Sequence, residues 1–207
     1  NCTAVTRLFI HKKIYNKFLK LYVKNISKIN QEDPESMTSQ MGSLISSQHL
    51  KKVKQCVSKS LSQGGKLIYQ GKIKKNLKGY FYPPTLIETS SSKNILFKEE
   101  VFGPVVAIIK FENEKEVVAM ANDTNYGLAG GVWTQDISRA LRVASSIDAG
   151  YLWVNTYGGI IPETPYGGFK QSGLGKELGS EGLEEYIRTK NISIFTGSSL
   201  PSWYGNK

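Results

Sequence analysis

Cysteine and histidine are scarce in this chain, with two of each among 207 residues. Two thiols, Cys2 and Cys56, give no disulfide framework, and so sparse a count suits a reducing compartment, taken here as the cytoplasm. His11 and His49 have no Cys, His or Asp neighbour at ligand spacing, so a zinc or other metal site is not expected. Apolar runs fall short of the roughly 18 residues a membrane helix needs, and no charged-then-apolar leader precedes the first strand. Neither a membrane association nor a secretory signal is therefore expected. Acidic residues are also in deficit, 17 Asp and Glu against 27 Lys and Arg, for a net charge of +10. Such a surplus can serve a polyanion. Its distribution points elsewhere, because Lys12, Lys13, Lys17, Lys20, Lys24, Lys51, Lys52, Lys54, Lys74 and Lys75 recur at the spacing of solvated helix faces. No nucleic-acid partner is expected. Asn-x-Ser/Thr sequons at Asn1, Asn25, Asn122 and Asn191 would matter only in a secreted chain.

What the chain does have is 40% apolar and 11% aromatic content, enough to bury a genuine core. Helix and strand patterns alternate along it, the mark of α/β architecture with a mostly parallel sheet. Val5–Ile10 reads as a first strand. Ile14, Phe18, Leu21, Tyr22, Ile26 and Ile29 form one helical stripe over 13–29. After a loop rich in Asp, Pro, Ser and Thr, a helix over 47–62 is ended by Gly64-Gly65 and followed by a strand at 66–69. Residues 80–87 look extended, with Pro83-Pro84 holding part of them out of any ladder. The continuous apolar run Val105–Phe111 predicts a buried strand. Asn113 with Glu116 predicts a capping box. A strand at 130–133, a helix opened by Asp136 with the line Ile137, Leu141, Ala144, Ile147, and a strand at 151–155 follow. Residues 158–179 read as a long Gly-rich loop, 180–189 as a closing helix, and 192–195 as a last strand before a polar tail.

Five blocks then stand out in order: Asn1-Cys2-Thr3, Glu100-Val101-Phe102-Gly103-Pro104, Asn125-Tyr126-Gly127-Leu128-Ala129, Trp153-Val154-Asn155 and Pro165-Tyr166-Gly167-Gly168-Phe169-Lys170-Gln171-Ser172-Gly173. Their order and separation resemble the NAD(P)-dependent aldehyde dehydrogenases from Cys2 to about Ile194. The chain opens on Asn1 rather than Met and so resembles the carboxyl-terminal, cysteine-bearing portion of such an enzyme. The resemblance implies a three-layer catalytic domain over 1–189, a mostly parallel sheet flanked by helices, with an oligomerisation strand and tail over 190–207. Homodimers or homotetramers are expected of the complete protein.

The resemblance also implies a chemistry. A cysteine thiolate adds to an aldehyde carbonyl to give a thiohemiacetal, hydride leaves for NAD or NADP, and the remaining thioester hydrolyses to an acid. By that resemblance Cys2 is the nucleophile, its backbone N–H helping to bind the oxyanion together with an upstream Asn. Glu100 would accept hydrogen bonds from the nicotinamide ribose, Phe102 would pack beside the nicotinamide, and Lys52, close to His49, would approach the adenosine ribose. Tyr157, Ile160 and Tyr166 would line the aldehyde site. Tyrosine faces suit a cationic aldehyde, whereas Ile160 stands where relatives often have an aromatic. The run from Gly167 to Gly179 resembles the betaine and amino-aldehyde branch. Gly173-Leu174-Gly175-Lys176-Glu177-Leu178-Gly179 misses the dinucleotide fingerprint by one residue and follows no strand, so it reads as a turn into a helix. The family's general-base Glu and its main dinucleotide-binding domain would lie upstream of Asn1. A second reading is a truncated, inactive chain that serves only folding or assembly.

Overall fold

Residues 1–198 are described in the computed structural model, and the end of the expected polar tail, from 199 onward, lies outside the described residues. Chain order begins β1 (Arg7–His11), α1 (Tyr15–Ile26), α2 (Ser47–Ser62), β2 (Lys66–Gln70), β3 (Thr85–Glu88), α3 (Ile95–Lys98) and β4 (Val105–Phe111). It continues α4 (Glu114–Asn122), β5 (Tyr126–Gly127), β6 (Ala129–Val132), α5 (Ile137–Ser146), β7 (Tyr151–Val154), β8 (Phe169–Lys170) and α6 (Gly179–Glu184).

β1, β4, β3 and β2 form one sheet in that order. β1 and β3 run parallel to β4, and β2 closes the edge antiparallel to β3. Alternate residues of β4 feed two different cores, as a strand covered on both faces requires. Val105, Ala107 and Ile109 pack with Val53, Cys56 and Val57 of α2 and with Leu96 and Phe97 of α3. Ile108 and Val106 pack instead with Tyr15, Phe18, Tyr22 and Ile26 of α1. Helices thus lie on both faces of a mixed, mostly parallel sheet, which is the expected α/β class. β6 and β7 form a separate parallel pair, and β5 and β8 a separate antiparallel one. All ten lysines read as solvated are exposed.

Several local expectations are corrected. α1 buries Tyr15 and packs Leu19 and Val23, while Ile14 and Leu21 of the expected stripe face solvent. α5 buries Ala140 and Val143, leaving Ile137 and Leu141 67% and 61% exposed, because its small residues face β6 and β7. The strand expected over 80–87 is confined to Thr85–Glu88, the segment beyond the two prolines. Asn113 caps α4 by accepting from Glu116 N, but the Glu116 carboxylate takes Glu112 N rather than Asn113 N. The long loop after 158 contains β8 and a bridge between Tyr166 and Glu177. α6 ends at Glu184, short of 189, with Tyr186 and Ile187 exposed; a helix this short depends on packing that those residues do not find. The strand expected over 192–195 does not form: Ile192 and Ile194 are exposed and no described strand lies beside them to supply a ladder.

One helix end organises much of the rest. α4 has no basic residue in its last turn, so its C-terminal carbonyls need donors from elsewhere. Arg7 Nη2 donates to Ala121 O at 3.1 Å, Lys98 Nζ to Asp123 O at 3.0 Å, and Lys170 Nζ to Asn122 O at 3.0 Å and Thr124 O at 3.3 Å. Gln171 N takes Asn125 O at 2.9 Å. Five successive carbonyls are thereby satisfied by β1, α3 and the β8 segment.

Truncating Ile87, which is fully buried under α2, is expected to destabilise the chain by about 2–5 kcal/mol, whereas Ile137→Ala should stay within about 0.5 kcal/mol. Urea denaturation measures both, and equal effects would contradict the two-sided sheet. Lys74 and Thr38 hold the Glu32 carboxyl down at about 2. Because the folded value lies below the unfolded one, that contribution is complete above about pH 4.5 and disappears as pH falls towards 2. Lys74→Met should therefore flatten the loss of stability across this window. Identical acid profiles for the two proteins would refute the pairing.

Candidate active site

Ser46 caps α2 by accepting His49 N, which fixes the first turn of that helix. His49, Lys52 and Val53 then lie on neighbouring positions of one face, three and four residues apart. Each holds part of the Glu100–Gly103 segment. His49 Nε2 donates to Val101 O at 3.4 Å, and Lys52 Nζ donates to Glu100 O at 3.1 Å. Val53 presses on Gly103, where an added Cβ would come within 2.9 Å of its Cγ2. Gly103 is thus required by close approach to the helix.

Pinned in this way, Phe102 adopts φ +54, a left-handed conformation unusual for an aromatic residue, and leaves its ring 49% exposed beside His49. The Glu100 side chain is exposed as well. Strain at an exposed ring held by three neighbours fits a residue kept ready for a ligand. The expected cofactor residues Lys52, Glu100 and Phe102 are therefore brought together, with His49 as their fourth member.

Cys2 lies ahead of β1, and the β1–β4 register pairs Arg7 with Ala107. Cys2 precedes Arg7 by as many residues as Phe102 precedes Ala107, so the thiol loop and the Glu100–Phe102 segment enter adjacent parallel strands at the same sheet edge. The thiol is exposed, while Thr3 beside it is buried and bonded to Asn1 Oδ1 through both its N–H and its hydroxyl. Cys56 is a buried thiol of the α2 core, its pKa raised by burial. The two cysteines are free.

An aromatic group stands against the thiol loop. Tyr157 Oη donates to Thr3 O at 2.8 Å, with its ring 4.6 Å from Trp153 and stacked on Trp133 at 6.1 Å. Tyr166 Oη lies 3.4 Å from Cys2 Sγ, its ring against Tyr151. Burial pushes the Tyr166 hydroxyl up to about 12, with the neighbouring thiol and Glu177 adding to the shift. Burial raises Tyr157 as well. Trp153 Nε1 donates to Gly159 O at 2.6 Å and draws in the loop carrying Ile160, which is itself 42% exposed. Of the three expected substrate residues, Tyr157 and Tyr166 reach the thiol loop, and Ile160 lies part-exposed on the loop that Trp153 holds.

Sequence reasoning gave no role to Trp133, Trp153 or Lys170. Only the Trp153-Val154-Asn155 block and the run containing Lys170 signalled them. Asn155 takes φ +57 and clamps Thr134 in both directions, N–H to Oδ1 and Nδ2 to carbonyl, each at 2.9 Å. Among the described residues, no group of three or more His, Cys, Asp or Glu side chains converges as a metal site, and no helix is long and apolar enough to cross a membrane.

Residues 1–192 match the aldehyde dehydrogenase family. A betaine aldehyde dehydrogenase of Bacillus subtilis (strain 168) is 38% identical, over 99% of this chain and 42% of its own length. The peroxisomal aminoaldehyde dehydrogenase 1 of Pisum sativum is 36% identical, over 98% of this chain and 41% of its own. The crystal structure of Staphylococcus aureus betaine aldehyde dehydrogenase in complex with NAD+ superposes with a TM-score of 0.93 at 35% identity, covering all of this chain and 42% of the other. The chain spans about two fifths of the relatives it matches. With a family match over nearly its whole length, this chain belongs to the aldehyde dehydrogenase family.

Proposed function

We propose that this chain is the carboxyl-terminal, cysteine-bearing part of an enzyme that oxidises an aldehyde to a carboxylic acid with NAD or NADP. The observation that carries this reading is that Cys2 and Phe102 stand five residues ahead of paired positions, Arg7 and Ala107, on neighbouring parallel strands. The exposed Glu100 carboxylate can accept hydrogen bonds from ribose hydroxyls, and the exposed Phe102 ring can lie against a nicotinamide. Lys52 and His49 hold the backbone between them. These residues fit the cofactor, which when bound accepts the hydride.

The chain's own residues do the rest. The Cys2 sulfur bonds to the carbonyl carbon, and Tyr157 and Tyr166 wall the approach. Their faces favour a cationic aldehyde of the betaine or amino-aldehyde class, and the relatives named for such substrates support that choice. Ile160 would offer an aliphatic edge. We further propose that the complete protein is a cytoplasmic homodimer or homotetramer, with Ile192 and Ile194 pairing against another subunit. Their exposure in an unpaired segment supports this.

In the complete protein, Cys2→Ser is expected to abolish NADH or NADPH formation, and retained turnover would refute the nucleophile. Glu100→Gln should raise the cofactor KM about tenfold, the scale of one charged hydrogen bond, with the thermal midpoint little changed. An unaltered KM would remove Glu100 from the cofactor site. The isolated 23.0 kDa chain should give no turnover; activity there would show that no upstream group is needed. Sedimentation of the complete protein as a monomer would contradict the assembly.

A further inference from the structure

We propose that the Tyr166 hydroxyl is a catalytic hydrogen-bond donor to the Cys2 sulfur, stabilising the attacking thiolate, and that Lys170 is the positioning residue that holds it there. The inference rests on the reading of Cys2 as the nucleophile and adds a group to its chemistry. Among the described residues, Tyr166 is the side chain within hydrogen-bond reach of the thiol, at 3.4 Å. Charge on sulfur strengthens such a bond. The hydroxyl is suited to donate, since its raised pKa keeps the proton on oxygen at neutral pH. As sulfur attacks, the carbon–sulfur bond forms and the carbonyl π pair moves onto oxygen. Tyr166 keeps its proton, and nothing is oxidised in this step.

A phenol can do this only if its backbone is fixed, and the Tyr166 backbone is fixed twice. Tyr166 N donates to Glu177 O at 2.6 Å, and Glu177 N returns to Tyr166 O at 2.7 Å. Four residues on, Lys170 sits in β8 at φ +53, left-handed backbone that a lysine adopts only where its surroundings impose it. Its ammonium is anchored as well: Nζ donates to Asn122 O and Thr124 O and pairs with Asp148 Oδ2 at 2.9 Å. Between these anchors the strand runs tight against Gly150, where a Cβ would fall 1.7 Å from Gly167 O. No slack remains for the Tyr166 segment to withdraw. The groups acting on the hydroxyl are Cys2, Glu177 and Tyr157.

The test is alkylation of Cys2 by iodoacetamide in the complete enzyme without aldehyde or cofactor, read by peptide mass spectrometry, with buried Cys56 as internal reference. Tyr166→Phe should slow the reaction at pH 7 about tenfold and move its pH midpoint upward, as loss of one hydrogen bond to a charged sulfur would. Lys170→Met should act in the same direction, and so should Lys170→Gly, which accepts φ +53 without strain but lacks the ammonium. The Tyr166→Phe/Lys170→Met double variant should be no slower than Tyr166→Phe alone. An unchanged rate and profile in Tyr166→Phe overturns the donor role. Lys170 variants that lower the thermal midpoint but leave the alkylation profile intact overturn the positioning role. Slowed alkylation with no NADH from any aldehyde would keep the thiol pairing and sink the enzyme reading, and turnover with unslowed alkylation would do the reverse.

Discussion

Parallel pairing of β1 with β4 is the constraint on which the rest of this structure depends. Parallel neighbours enter a sheet at the same edge, so whatever precedes one strand is delivered beside whatever precedes the other. Here those flanks are a thiol loop and a segment carrying a carboxylate and an aromatic ring. The residues lie about a hundred positions apart in sequence, yet the register brings the two strands they precede side by side. β4 itself is locked by burial on both faces, so a one-residue slip would force each set of core residues into the core built for the other.

Around that edge, the two flanks are held by different means. The Glu100–Gly103 segment is gripped by one face of α2 through two backbone carbonyls and a glycine contact. The thiol loop is gripped by hydroxyls, from Tyr157 on the Thr3 carbonyl and from Tyr166 at the sulfur. The first arrangement leaves a strained ring exposed to receive a flat ligand. The second brings polar tips out of an otherwise aromatic wall, so that it can both exclude water and offer a donor.

Much of this was legible from sequence where physics is local. The α2 boundaries, the buried β4 run and the Asp136 and Asn113 caps follow from propensity, periodicity and side-chain capping, and the structure has them. Glu100 and Phe102 stood out through an ordered motif, and Lys52 only through the family resemblance. Failures fell where a distant neighbour decides. Ile137 and Leu141 looked like the core line of α5, but Ala140 and Val143 are its buried residues, on a helix that packs against β6 and β7. Residues 192–195 alternate like a strand, and alternation cannot supply a partner. Contact between Tyr166 and Cys2 spans 164 positions, which no window of sequence reveals.

The end of α4 has a consequence for how the chain assembles. Beside local backbone donors, the carbonyls of this turn take side-chain donors from positions 7, 98 and 170, so no local stretch supplies all of its bonds. Those side-chain bonds exist only when three segments remote in sequence lie together. The turn thereby ties the strand behind the thiol, the short helix ahead of the carboxylate and the strand that follows Tyr166 to one point.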